Sequence, residues 1–167
     1  MRRAMAALAM PLLAASLSAC GGGQEAPREE PAVQRVVVQD RFAIRRSTRG
    51  FDETLSALFE ALDRRDLTVF AVIDHAAAAG AAGAELAPTT VVIFGDPEVG
   101  TPLMAAVPVV GAELPLRALV YERGGDVFVA TTGMANLART YPLGDQAEIV
   151  LRTERALSEI MNEVIGP

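Results

Sequence analysis

The one histidine of this chain, His75, stands directly after Asp74. An imidazole beside a carboxylate can move protons near neutral pH. Neighbouring residues on a strand point to opposite faces, however. The plainer expectation is that Asp74 caps the alanine-rich segment after it and His75 fills a half-buried position. A second group, Gly95 followed by Gly100 and Thr101, has the look of a phosphate loop. It lacks the lysine such loops need, and Asp96 and Glu98 would place negative charge where phosphates sit. It therefore reads as a turn in which Asp96 bonds backbone amides. The alternative is a small anion or carboxylate cradle formed by Thr101 and the amides of a helix entry. Met104, between Pro102 and Pro108, is either core or the edge of an apolar pocket or dimer face. Arg117 shares a predicted strand face with Tyr121, as a solvated group or as a partner for a ligand carboxylate. The candidate ligand-binding residues are thus Asp74, His75, Asp96, Thr101, Met104 and Arg117.

The residue types that are missing narrow the chemistry further. There is no lysine and no tryptophan, and Cys20 is the single cysteine. Schiff-base catalysis is excluded, and so is a His/Cys metal cluster within one chain. A disulfide within the chain cannot form, so a domain outside the cytoplasm must rely on packing. No cofactor and no metal are expected. The chain carries 15 basic and 21 acidic residues, a net charge of −6. Without a basic stripe it is a poor match for nucleic acid, whose binding depends on neutralising phosphates.

Cys20 itself has a specific setting. Arg2 and Arg3 precede an apolar stretch from Ala4 to Leu17, and Leu17-Ser18-Ala19-Cys20 follows the pattern of a lipobox. The apolar run is shorter than the about 20 residues a spanning helix needs. It reads as a lipoprotein signal peptide over 1–19, with Cys20 acylated as the new N-terminus; an ordinary secretory signal is the alternative. Several acyl chains, at about 0.8 kcal/mol per buried methylene, would hold the protein to a membrane. Gly21 rather than aspartate after the cysteine points to the outer membrane in a Gram-negative cell. Residues 20–32 are glycine, proline, glutamate and arginine with little that is apolar, a flexible tether. A single domain is expected over 33–167, long enough for one core.

Within that domain, Val33 to Ile44 alternates as a first strand. Asp52 is placed to cap a helix with Leu55, Leu58, Phe59 and Leu62 on one face, ended by Arg64, Arg65 and Asp66. Leu67 to Ile73 is a strand, and Ala76 to Ala84 a helical turn broken at Gly83. Thr89 to Phe94 is a buried strand. Gly100 to Pro108 suits a short helix entered through Thr101 and Pro102. Leu116 to Tyr121 and Val127 to Thr131 form a hairpin around Gly124-Gly125. Met134 to Tyr141 is a brief helix. Ala147 to Ile165 is an amphipathic helix burying Val150, Leu157, Ile160, Met161 and Val164. A tight hairpin and irregular alternation predict α+β, a two-layer domain with a mostly antiparallel sheet and helices on one face.

The order of several motifs resembles the domain-of-unknown-function family 302. These are Phe70 and Ile73-Asp74-His75, then Leu86 and Pro88, Phe94-Gly95-Asp96-Pro97, Gly100-Thr101-Pro102-Leu103-Met104 and Leu114-Pro115-Leu116. The resemblance runs from about residue 36 to 165. It implies a small α+β domain that forms homodimers, and it assigns no reaction. The family commonly has asparagine at the position of Asp96. It also shows a tyrosine and an Asn/Asp-Pro pair where this chain reads Ala130-Thr131-Thr132-Gly133, so that a pocket lined by this region would be altered or lost here.

The combined expectation is a lipid-anchored, periplasm-facing envelope protein, dimeric, whose domain binds a small molecule or an envelope protein. The rival is a cofactor-free envelope enzyme using Asp74, His75 and Thr101 for acid–base chemistry.

Overall fold

A computed structural model describes residues 42–167. The signal peptide, Cys20, the tether and the start of the first predicted strand lie outside the described residues. The elements run β1 (Phe42–Arg46), α1 (Phe51–Asp63), β2 (Thr68–Asp74), α2 (His75–Ala81), β3 (Thr89–Gly95) and α3 (Pro97–Ala106). After a 3-10 turn over Pro108–Ala112 come β4 (Leu116–Arg123), β5 (Asp126–Thr132), α4 (Ala135–Thr140), a second 3-10 turn and α5 (Ala147–Ile165). The strands form one sheet in the order β1-β5-β4-β3-β2, and every pair is antiparallel. The fold is α+β, as expected.

Alternation along the strands separates two faces. Val92 and Phe94 on β3, Ala118 and Val120 on β4, and Val127 and Val129 on β5 all face the helices. They pack with Leu58, Ala61 and Leu62 of α1 and Leu157, Ile160, Met161 and Val164 of α5. The helix-3.6 spacing of those apolar residues is what lets each helix lay one stripe on the sheet. A second cluster joins Leu103, Val110, Met134, Leu137, Leu143 and Val150. By the strand register, the opposite face presents Phe42 and Ile44, Phe128, Leu119, Val91, Ile93 and Ile73. None of these belongs to either core cluster.

Three local expectations are corrected. The N-cap of α1 is Gly50, whose amide is 3.4 Å from the Glu53 carboxylate, and Asp52 lies within the first turn. Glu53 satisfies a free amide from inside the helix, so no capping side chain is required. α3 begins at Pro97 and not at Thr101, because Asp96 accepts from the Glu98 amide at 2.8 Å and Pro97 suits the first turn. Pro102 consequently sits inside this helix. His75 is exposed and not half-buried, since α2 buries none of its residues. Other features follow the sequence closely. Gly124 and Gly125 have φ of +62° and +84°, as a two-residue hairpin turn requires. α5 spans the predicted residues and buries the predicted five.

Candidate functional site

The sheet and α5 do not close on each other along their whole length. At the end where β3 runs out and β4 begins, a cavity of about 630 Å³ opens between them. Its sheet wall is Phe70, Phe94 and Leu116; α3 adds Val99, Gly100, Thr101 and Met104; Leu114 and Pro115 come from the connection into β4. α5 contributes Arg152, Thr153, Ala156, Leu157 and Ile160; Arg65 and Leu67 come from the α1–β2 turn, and Met134 and the Gly95-Asp96-Pro97 turn also line it. The size is that of an ordinary small-molecule site, and the mainly aliphatic and aromatic walls suit an apolar ligand.

Local sequence explains how these groups arrive there. The pairing of β2 with β3 slips between Val69 and Ala71, leaving Phe70 as an extra residue in the strand. Such a bulge re-aims its side chain, and Phe70, 51% exposed, borders the cavity. Gly95 sits beneath it: a Cβ there would lie 3.6 Å from the Phe70 ring and 3.7 Å from Pro115. Asp96 starts α3 by its cap and so sets the direction of the helix carrying Thr101 and Met104. Met104 is 37% exposed. Its thioether sulfur passes 3.2 Å from where a Gly111 Cβ would be, so a side chain there would press on the methionine that edges the cavity. Leu103, its neighbour, is fully buried in the second cluster.

The polar groups are few. The Arg65 Nη1 is 2.9 Å from Glu163 Oε2 and donates to the Ala61 carbonyl at 3.0 Å. The Thr153 hydroxyl donates to the Ile149 carbonyl at 2.9 Å. Asp96 is held by its capping bond. A second hollow, about 50 Å³ between Glu113, Asn136 and Tyr141, is large enough only for water.

The structure divides the sequence candidates into two sets. Asp96, Thr101 and Met104 meet at the cavity. Asp74 and His75 do not line it; Asp74 accepts from the Ala77 amide at 2.9 Å as the N-cap of α2. Arg117 is exposed on the open sheet face and donates to the Glu113 carbonyl at 3.4 Å. The Thr101 cradle loses its premise, because the helix-entry amides lie at Asp96–Glu98. Among the described residues no three His, Cys, Asp or Glu side chains gather to hold a metal. Sequence reading gave Arg152 no role. Nothing separates it from the other charged residues on the polar side of α5 until the cavity is seen.

A family model described as "Domain of unknown function DUF302" matches residues 43–164. The chain belongs to the DUF302 family. The match covers the whole sheet except the first residue of β1, together with α3 and all but the last residue of α5. Among solved structures, an uncharacterized conserved DUF302 protein from Bacillus stearothermophilus superposes with a TM-score of 0.66 at 18% identity. That comparison covers 74% of this chain and 97% of the other, and it establishes the shared fold. Two curated relatives are each named fluoride-specific ion channel FluC 1. The one from Brucella suis is 36% identical over 107 residues, 64% of this chain and 42% of the relative. The one from Brucella abortus has the same identity and covers 40% of the relative. This DUF302 chain thus spans about two-fifths of the length of these relatives. No described helix here is long and apolar enough to cross a membrane.

Proposed function

We propose that this chain is a lipid-anchored cell-envelope protein whose DUF302 domain binds a small, largely apolar ligand in the cavity between α3, α5 and the end of the sheet. The cavity carries the reading: about 630 Å³ with Phe70, Phe94, Leu116, Leu157 and Ile160 in its walls. The hollow leaves Phe70 and Met104 partly exposed to water, and a ligand that covered them would gain from burying that apolar surface. Native mass spectrometry on the chain isolated from its own envelope tests it. The expected result is a stoichiometric extra mass that dissociates when the protein unfolds. Chain at its bare mass, released under non-denaturing conditions, removes the reading.

The anchor rests on the lipobox-like Leu17-Ser18-Ala19-Cys20. Cells fed a clickable palmitate analogue are expected to label the chain, and Cys20→Ala to abolish the label and release the protein from membranes. The relatives' name favours the same neighbourhood. More than half their length lies outside the match, room for the spanning part a channel requires. We read the DUF302 domain in both settings as a module that works close to a membrane.

A homodimer is the proposed assembly, with the uncovered sheet face as its contact. That face exposes Phe42 and Ile44 by 39% and 41% at the β1 edge and Ile73 by 42% at the β2 edge, with Phe128, Leu119 and Val91 on the strands between them. An apolar surface of that extent marks an interaction site, and sedimentation of wild type against Ile44→Asp tests it by the loss of a dimer. The acid–base enzyme is the weaker reading, because Asp74 and His75 do not share the cavity with Thr101.

A further inference from the structure

The geometry points to a monoanionic amphiphile, a carboxylate on a single apolar chain, as the ligand of the cavity; this rests on the ligand-binding reading above. The charges on the lining decide the head group. Two cations border the cavity, Arg65 and Arg152, against one carboxylate, Asp96. Arg65 is already engaged with Glu163 and the Ala61 carbonyl. Asp96 is spent on the Glu98 amide. Arg152 has no hydrogen-bond or ion-pair partner among the described residues, and it lies exposed at the rim, one turn before Ala156.

A guanidinium left unpaired beside an apolar hollow is a receptor for an acid. Its planar fork takes a carboxylate with two parallel hydrogen bonds. Its position also fits the shape of an amphiphile, with the head at the solvent-facing rim and the tail against Phe70, Phe94, Leu157 and Ile160. The chain as a whole carries −6 and has no lysine. A cation at this spot is therefore not the by-product of a basic surface. One available cation matches one negative charge. A phosphate monoester would bring a second charge for which the lining holds no further unengaged cation.

The test uses the mature chain, residues 20–167 with Cys20→Ser, titrated calorimetrically below micelle-forming concentrations with decanoate, decanol and decyltrimethylammonium. Decanoate is expected to bind one to one and at least tenfold more tightly than decanol, with the cation weakest. Shortening to octanoate should cost about fourfold per methylene. Arg152→Gln should weaken decanoate about tenfold and leave decanol within twofold, and Arg152→Lys should recover part of the loss. Phe70→Ala should weaken decanoate and decanol alike. If decanol binds as well as decanoate, or Arg152→Gln leaves decanoate binding intact, the carboxylate assignment falls while the cavity reading stands. If none of the three binds and the native protein carries no extra mass, the cavity reading falls as well.

Discussion

The last helix meets the rest of the domain in two different ways along its length. Towards its C-terminus it is tied down on every side. The Ile165 carbonyl accepts from the Thr48 amide at 2.8 Å and the Thr48 hydroxyl at 3.0 Å. Arg49 Nη1 donates to the Glu163 and Val164 carbonyls, both at 3.0 Å. Three of the four carbonyls that a helix end leaves unmatched are thus satisfied by the β1–α1 connection. Beneath them the Ser47 and Thr54 hydroxyls pair at 2.8 Å in the interior, and Met161 and Val164 pack on α1 and the sheet. Two to three turns earlier the same helix offers Arg152, Thr153 and Ala156 to a cavity. Leu157 and Ile160 stand on the boundary, belonging to the core and to the cavity wall at once. Stability and binding are therefore expected to separate along one helix: the closed end holds the fold, and the open end is free to recognise something.

The sharpest way to break this comparison is to damage the closed half. Leu62 is fully buried between α5 and the sheet. Leu62→Ala should cost about 2–5 kcal/mol, the lost transfer energy plus the cavity left behind. Thermal unfolding followed by circular dichroism measures it. A cost below 1 kcal/mol would mean that the closed half is as loose as the open one.

Gly166 gives a smaller effect at the helix end. Its φ is +81°, and a Cβ there would lie 2.5 Å from the Thr48 hydroxyl. Gly166→Ala must strain the backbone or displace Thr48, at a cost of about 1 kcal/mol. Urea unfolding should show a lower midpoint with an unchanged slope. An unchanged midpoint would show that the clamp on Ile165 is not needed for the fold.

How much of this was legible beforehand follows from the range of each interaction. α5 was readable to the residue because its 3.6-residue periodicity is a local signal. The β4–β5 hairpin was readable because Gly124-Gly125 admits few other turns. The start of α3 was misread because Thr101-Pro102 is as good an entry signal as Asp96-Pro97. Only the observed cap on the Glu98 amide decides between them. The site was harder. Met104, Asp96 and Thr101 announced themselves by residue type and lie at the cavity. Arg152 did not, since an arginine on an amphipathic helix looks the same whether it meets water or a ligand. Nor could a sequence show that Phe70 is the extra residue of a bulge, which depends on pairing with β3.

Asp74→Ala should have a still smaller global effect. Removing an N-cap costs about 1 kcal/mol of helix stability, but α2 is seven residues long with none buried. Its fraying is expected in local amide exchange at Ala77 and Ala78, with the global unfolding temperature moving by less than about 2 °C. His75→Ala should move neither quantity and should leave ligand binding unchanged. A loss of binding in His75→Ala would draw this end of β2 into the site and revive the acid–base reading.

The smallest expected change in stability belongs to the open half, and it is the most telling. Ala156 is half-buried and faces the cavity from α5. In a closed core the added bulk of Ala156→Leu would overpack and cost about 1–3 kcal/mol. In a cavity of this size the new isobutyl group has room, and burying it offsets any local adjustment. The variant is therefore expected to unfold within about 0.5 kcal/mol of wild type, or slightly above it. Its extra bound mass and its decanoate affinity should both be lost. A large loss of stability would mean that Ala156 packs as the closed half does. Retained binding at wild-type stability would move the ligand away from α5, towards Met104 and Leu114 on the opposite wall.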